Sequence, residues 1–250
     1  MDDVSIETSE NKPKRQAMPG AINWLLRLYI TLMIPFLLVV GSARLVMNPN
    51  FLAFEYNRPN FPADTYGFSV YDRYNYGPYG VLYIVNNEPI EYLSELELPG
   101  ELCFPPDEER PCSAFNSLEL SHMEDVQVVA QGLFTAALWG GLLTLVIGFI
   151  LVRGAGLYSL RLALMQGSLL TIGLIITIAL LAVTAWDAFF SGFHSLFFQD
   201  GTWQFYYSDT LIRLYPEQFW FDASITAGVL TTLGAVVILA IASGLRPVKA

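Results

Sequence analysis

The stretch Val126-Gln-Val-Val-Ala-Gln-Gly-Leu-Phe-Thr-Ala-Ala-Leu-Trp-Gly-Gly-Leu-Leu-Thr-Leu-Val-Ile-Gly-Phe-Ile-Leu-Val152 runs for 27 residues without a charge. The hydrocarbon core of a bilayer needs roughly 20 such residues in a helix. The stretch therefore reads as a membrane span. Residues 22–47, 158–186 and 223–245 read the same way. Arg27 and Arg44 lie near the ends of the first span, where long stems carry the charge to the interface. Pro35 inside it predicts a kink. The Gly41-Ser42-Ala43 run resembles a signal cleavage site, but the apolar region before it exceeds the usual 7–15 residues of a signal segment. It reads as a retained anchor.

Only 14% of the chain is charged against 54% hydrophobic, which fits a polytopic membrane protein and not a soluble domain. The fold expected is mainly α: four transmembrane helices with a small mixed extracytoplasmic cap. The remaining segments are a disordered tail (1–21), the cap (48–125), a short loop (153–157), an aromatic loop (187–222) and a second tail (246–250).

Charge sets the orientation. Lys12, Lys14, Arg15, Arg153, Arg161, Arg246 and Lys249 flank one set of span ends. The segments 48–125 and 187–222 carry four bases against nineteen acids. Bases near span ends mark the cytoplasmic side, so both termini are expected there and both large polar segments outside. The net charge of −10 argues against nucleic acid as a partner.

Cys103 and Cys112, the only two cysteines, fall in the outer proline-rich stretch Cys103-Phe-Pro-Pro-Asp-Glu-Glu-Arg-Pro-Cys112. An oxidising compartment makes a disulfide the default, with a thiolate metal pair as the weaker alternative. Within the cap, Ser69–Tyr83 reads as a helix or a strand equally well, and Asn86-Asn-Glu-Pro89 as a turn. The many tyrosines there are expected as interfacial anchors. In 187–222 the Gln199-Asp-Gly-Thr202 turn separates two aromatic runs in a hairpin-like pattern. Ser208-Asp209-Thr210 reads as an N-cap before a short helix. Such a belt suits contact with membrane lipid.

The chain has two histidines, His122 and His194, each where a hydrophobic span meets the outer face. Imidazole takes and returns a proton near neutral pH. Asp125, three residues after His122, is placed to orient it. Wetted interfacial side chains are the bland alternative for both. Ser121 and Ser195 adjoin the histidines, yet no G-x-S-x-G elbow exists. Ligation of a metal by His122, Asp125 and His194 has suitable donor types at low specificity. Bis-histidine haem ligation suits a four-helix bundle, although His194 lies beyond its span. A non-enzymatic assembly factor or sensor would use the outer segments equally well.

The run Leu118-Glu-Leu-Ser-His-Met-Glu-Asp-Val126 resembles the lipoprotein intramolecular transacylase (Lit) family. So do Phe193-His-Ser-Leu-Phe-Phe-Gln-Asp-Gly-Thr-Trp203 and Ser208-Asp-Thr-Leu-Ile-Arg-Leu-Tyr-Pro-Glu-Gln-Phe-Trp-Phe-Asp222. The resemblance implies a multi-pass acyltransferase of the bacterial plasma membrane with an outward-facing site. Its substrate would be a diacylglyceryl lipoprotein, whose sn-2 acyl chain moves to the α-amine of the N-terminal cysteine to give the lyso form. The resemblance implies two catalytic histidines, His122 and His194, with Asp125, Trp203 and Asp209 in support and neither metal nor cofactor. His194 is assigned as base and His122 as stabiliser or acid.

Overall fold

A computed structural model describes residues 18–107 and 109–245. The flanking bases Lys12, Lys14, Arg15, Arg246 and Lys249, and the tails expected around them, lie outside the described residues. In chain order the first elements are α1 (Gly20–Val46), α2 (Pro49–Tyr56), α3 (Val70–Asn86), α4 (Glu91–Ser94), β1 (Glu97–Leu98) and β2 (Cys112–Ser113). Then come α5 (Ser117–Ala155), α6 (Leu157–Thr184), α7 (Trp186–Phe197), α8 (Thr210–Leu214) and α9 (Glu217–Gly244).

Helices α1, α5, α6 and α9 are long and apolar enough to cross a membrane. This is an integral membrane protein with a mainly helical fold. Helix α1 packs against α5, α6 and α9, and α6 against α9. Small residues set the closeness of these seams. A Cβ added at Gly167 of α6 would come within 2.6 Å of Ile34 Cδ1 on α1. Large apolar side chains face away from the bundle, Trp139 at 66% exposure and Leu145 at 72%, as a lipid-facing surface requires.

Two junctions differ from the sequence expectation. The loop 153–157 contracts to Gly156, whose φ of +85° turns the chain between α5 and α6 without intervening residues. Helix α5 begins at Ser117 rather than 126, because Asn116 and Glu119 form a reciprocal capping box over its first turn. Its 39 residues span about 58 Å at 1.5 Å each, against a hydrocarbon core of about 30 Å. Residues 117–125 therefore stand beyond the membrane-spanning part as a rigid post.

The cap gathers on that post. Tyr83 and Leu93 pack with Leu98, Phe115, Met123 and Leu214 in one buried cluster. Helix α3 starts on a Ser69–Asp72 capping box, so the helical alternative for this region is the one adopted. Its C-terminal carbonyls are met from α5: Gln127 Nε2 donates to Tyr83 O at 2.9 Å and to Glu88 O at 2.8 Å. Strands β1 and β2 pair antiparallel, and the Cys103–Cys112 disulfide joins the same region with a Cα–Cα distance of 6.1 Å. The tyrosines divide. Tyr56, Tyr83 and Tyr215 are core residues, while Tyr71, Tyr206 and Tyr207 are exposed and free to meet an interface.

The aromatic segment after α6 is not hairpin-like. It forms the helix α7, with aromatic residues recurring at helical spacing: Trp186, Phe190 and His194 on one stripe, Phe189, Phe193 and Phe197 on the next. The expected turn follows it. Gly201 there has φ of +89°, and Thr202 N–H donates to Gln199 O at 3.2 Å.

Candidate active site

His122 stands on the post of α5, one helical turn after Glu119. Both are buried, at 7% and 1% exposure. The Glu119 carboxylate accepts the backbone N–H of Leu211 at 2.7 Å and of Asn116 at 2.8 Å, clamping the post to α8. Burial drives its carboxyl up to about 7 while the two backbone donors pull it down. The sequence gives no local sign of this role for Glu119, because its partner Leu211 lies 92 residues away.

His194 occupies the last turn of α7. Its ring centroid lies 6.2 Å from that of His122, with the ring planes 25° apart. Around the pair stand Phe190 (4.1 Å from His194) and Trp203 (4.8 Å from His194). Phe198 and Phe205 close the other side at 5.0 Å and 5.3 Å from His122. The chain brings its two imidazoles together in a box of aromatic rings.

The electrostatics follow from that box. Burial lowers the His122 pKa from 6.5 to about 4, with the neighbouring His194 adding to the effect. Burial also lowers His194, opposed by its bond to the Phe190 carbonyl. Both rings are neutral at pH 7. His194 Nδ1 lies 2.8 Å from Phe190 O. A carbonyl only accepts, so Nδ1 carries the hydrogen and Nε2 keeps a lone pair. That tautomer leaves Nε2 able to accept a proton. His122 Nδ1 and Trp203 Nε1 are both buried without a hydrogen-bond partner.

The other expected site residues fall elsewhere. Asp125 is exposed, and among the described residues no hydrogen bond joins it to His122, whose Nδ1 is unpartnered. The structure does not bring the two together: i and i+3 share a helix face broadly, but His122 is buried and Asp125 exposed. Asp209 braces the scaffold instead, accepting from Tyr206 N–H at 2.8 Å and Asn116 Nδ2 at 3.3 Å. Ser195 donates to Asp200 at 3.3 Å, so it is engaged away from an imidazole. No group of three His, Cys, Asp or Glu able to hold a metal forms among the described residues, which leaves the His122–Asp125–His194 triad unassembled. Trp203 alone of the three supporting residues lies in the box.

Beside the box, a cavity of about 890 Å³ is walled by Trp186, Asn60, Thr65, Tyr207 and Phe221. Trp186 packs on Phe190 at 5.9 Å, so the cavity lies one aromatic layer from His194. Arg213 at its floor is fully engaged. It bonds to Asp64, Leu102 O and Tyr66 O and stacks 3.6 Å over Phe68.

Comparison with known proteins agrees with this architecture. A solved structure of the membrane-integral lipoprotein intramolecular transacylase Lit from Bacillus cereus superposes with a TM-score of 0.73 at 18% identity, covering 89% of this chain and 95% of that one. A structure of the same protein with a histidine-to-arginine mutation gives a TM-score of 0.54 at 16% identity, covering 90% and 92%. A protein of Aquifex aeolicus (strain VF5) described as uncharacterized is 26% identical over 215 residues, 86% of this chain and 92% of the relative. The family model for the lipoprotein intramolecular transacylase Lit matches residues 28–220. With most of its length matched and the fold shared, the chain belongs to the lipoprotein intramolecular transacylase Lit family of acyltransferases.

Proposed function

We propose that this protein moves the sn-2 acyl chain of a diacylglyceryl lipoprotein onto the α-amine of the lipoprotein's own N-terminal cysteine, with His122 and His194 as the proton carriers. The observation that carries the reading is the 6.2 Å approach of the two imidazoles inside one aromatic box. The chemistry explains why two are needed. An α-ammonium with a pKa of roughly 7.7–8.0 must shed two protons to become an amide nitrogen. One ends on the departing glyceryl oxygen and one in solvent.

His194 Nε2 takes the first proton from the ammonium. The freed amine attacks the ester carbonyl a few bonds away on the same molecule, so orientation comes largely from intramolecularity. His194, now cationic, returns its proton to the glyceryl oxygen as the C–O bond breaks. His122, assigned from the sequence as stabiliser or acid, acts in this reading as a second acceptor, because burial keeps its ring neutral: it takes the second proton from the nitrogen and passes it to water. No acyl-enzyme forms, and no nucleophilic side chain is required. The aromatic box holds water away from the ester, whose hydrolysis would compete.

The site faces the extracytoplasmic side of a bacterial plasma membrane in this reading, with both termini in the cytoplasm. Met18 N–H donates to Gly154 O at 3.2 Å, so the start of α1 shares the end of the bundle that carries Arg153 and Arg161, opposite the histidines. The acidic segments lie on the histidine side.

The test is expression in a host whose lipoproteins are only diacylated, followed by mass spectrometry of lipoprotein N-termini. N-acylated lyso-lipoproteins are expected. Unchanged diacylated termini in cells that carry the folded protein would overturn the reading.

A further inference from the structure

In the acid–base reading both imidazoles are engaged in proton transfer, which leaves the negative oxygen that appears when an amine adds to an ester to another group. That oxygen requires a donor already in place. Six buried side-chain atoms among the described residues have no hydrogen-bond partner: Asn23 Oδ1, Arg27 Nε, Glu55 Oε1, His122 Nδ1, Arg161 Nε and Trp203 Nε1. Three belong to the far end of the bundle and one to the cap. The remaining two, His122 Nδ1 and Trp203 Nε1, come from segments 81 residues apart in sequence and meet in the same aromatic box.

The two differ chemically. A neutral imidazole nitrogen is donor or acceptor according to tautomer, whereas an indole N–H only donates. Leaving such a group buried and unpaired costs about 1–3 kcal/mol, and orphaned groups of this kind ask for a functional reason. The local fold holds this one deliberately in place. Gly201, at φ of +89°, folds the chain back after α7, and the Trp203 ring packs 4.8 Å from His194 and 6.3 Å from Phe190. A proton acceptor on His194 and an unconditional donor on Trp203 thus stand side by side. An attacking amine and the carbonyl oxygen on which charge then develops need just such a pair.

We propose that Trp203 is a catalytic residue whose indole N–H binds the sn-2 ester carbonyl oxygen and holds it as an oxyanion during acyl transfer. As the N–C bond forms, the carbonyl π electrons move onto oxygen and meet the indole N–H. As the intermediate collapses, they re-form the carbonyl, the bond to the glyceryl oxygen breaks, and that oxygen takes the proton from His194. The N–H is sealed from water until substrate enters.

This inference rests on the acid–base reading above, and the test separates the two. Purified protein is assayed with a synthetic diacylglyceryl lipopeptide as wild type, as Trp203→Phe, and with Trp203 replaced by benzothienylalanine, which exchanges only the N–H for sulfur. His194→Ala serves as the control. The substituted proteins are expected to lose about 10²–10³-fold in kcat, with KM changed less than about threefold. A lipopeptide carrying a phosphonate at the sn-2 position, a tetrahedral anion, should lose affinity by a comparable factor. Turnover near the wild-type rate in the benzothienylalanine protein, beside an inactive His194→Ala, would overturn the donor role and leave the acid–base reading standing. Equal loss of substrate and phosphonate affinity would also overturn it, by making the indole a packing residue. Wild-type protein that leaves the ester untouched would overturn both.

Discussion

The carboxylate of Glu119 accepts the backbone N–H of Leu211 at 2.7 Å, tying the post that carries His122 to the short helix α8. Its other oxygen takes the Asn116 N–H at 2.8 Å. The clasp fixes the first turn of α5, and with it the turn that carries His122, against the cap.

Glu119→Ala leaves the buried Leu211 N–H unpaired, at a cost of about 1–3 kcal/mol, and removes the capping bond to the more exposed Asn116 N–H. Thermal melting of the purified protein should fall clearly, and turnover should fall with it as the post loosens. A variant with unchanged melting would remove the clasp from the account.

Arg213 presents a second expected outcome. Its guanidinium is shared among Asp64, Leu102 O and Tyr66 O and lies 3.6 Å over Phe68. Arg213→Met leaves the Asp64 carboxylate buried without its partner, worth about 3–5 kcal/mol. Arg213→Lys keeps the charge but not the fork of donors, and is expected to rescue only part of that loss. Full stability in Arg213→Met, measured by melting, would contradict the role.

The disulfide is expected to be structural. Closing a loop of nine-residue separation restricts the unfolded chain by about 2–3 kcal/mol. Cys103→Ser with Cys112→Ser should lower melting more than turnover. Complete loss of activity in a well-folded double variant would place the loop in the site.

The pH dependence follows from the buried imidazoles. Burial lowers His122 to about 4, with His194 contributing, and lowers His194 as well. Catalysis needs both neutral, so activity is lost on the acid side, as pH falls through these depressed values. The acid limb of kcat/KM is expected below pH 6.5, the ordinary imidazole value. An acid limb at or above 6.5 would mean the rings are solvated in the working enzyme.

How much of this was legible beforehand differs from element to element. The spans were plain, since a run such as Val126–Val152 has one physical home. The nine residues before it were not, because Ser117–Asp125 are polar and only the Asn116–Glu119 box reveals that the helix has begun. The segment 187–222 reads from sequence as two aromatic runs about the Gln199–Thr202 turn, and α7 is the first of them. The turn was right, but the i, i+4 spacing of Trp186, Phe190 and His194 carried the helix. The two histidines were legible from their scarcity and matching depth. The separation of Asp125 from His122 was not, since the i, i+3 spacing suits a contact that the exposed carboxylate does not make. Arg213 looked like an ordinary outer base because its partners come from residues 64, 66 and 102.

The most direct measurement follows one acyl chain. Purified protein is given a lipopeptide whose sn-2 chain carries a stable isotope, and the N-terminal amide is read by mass spectrometry. The label is expected on the amide within the same molecule for wild type, and absent from it in both His122→Ala and His194→Ala. Transfer of the label by either folded variant would contradict the claim that two imidazoles in one box carry the reaction.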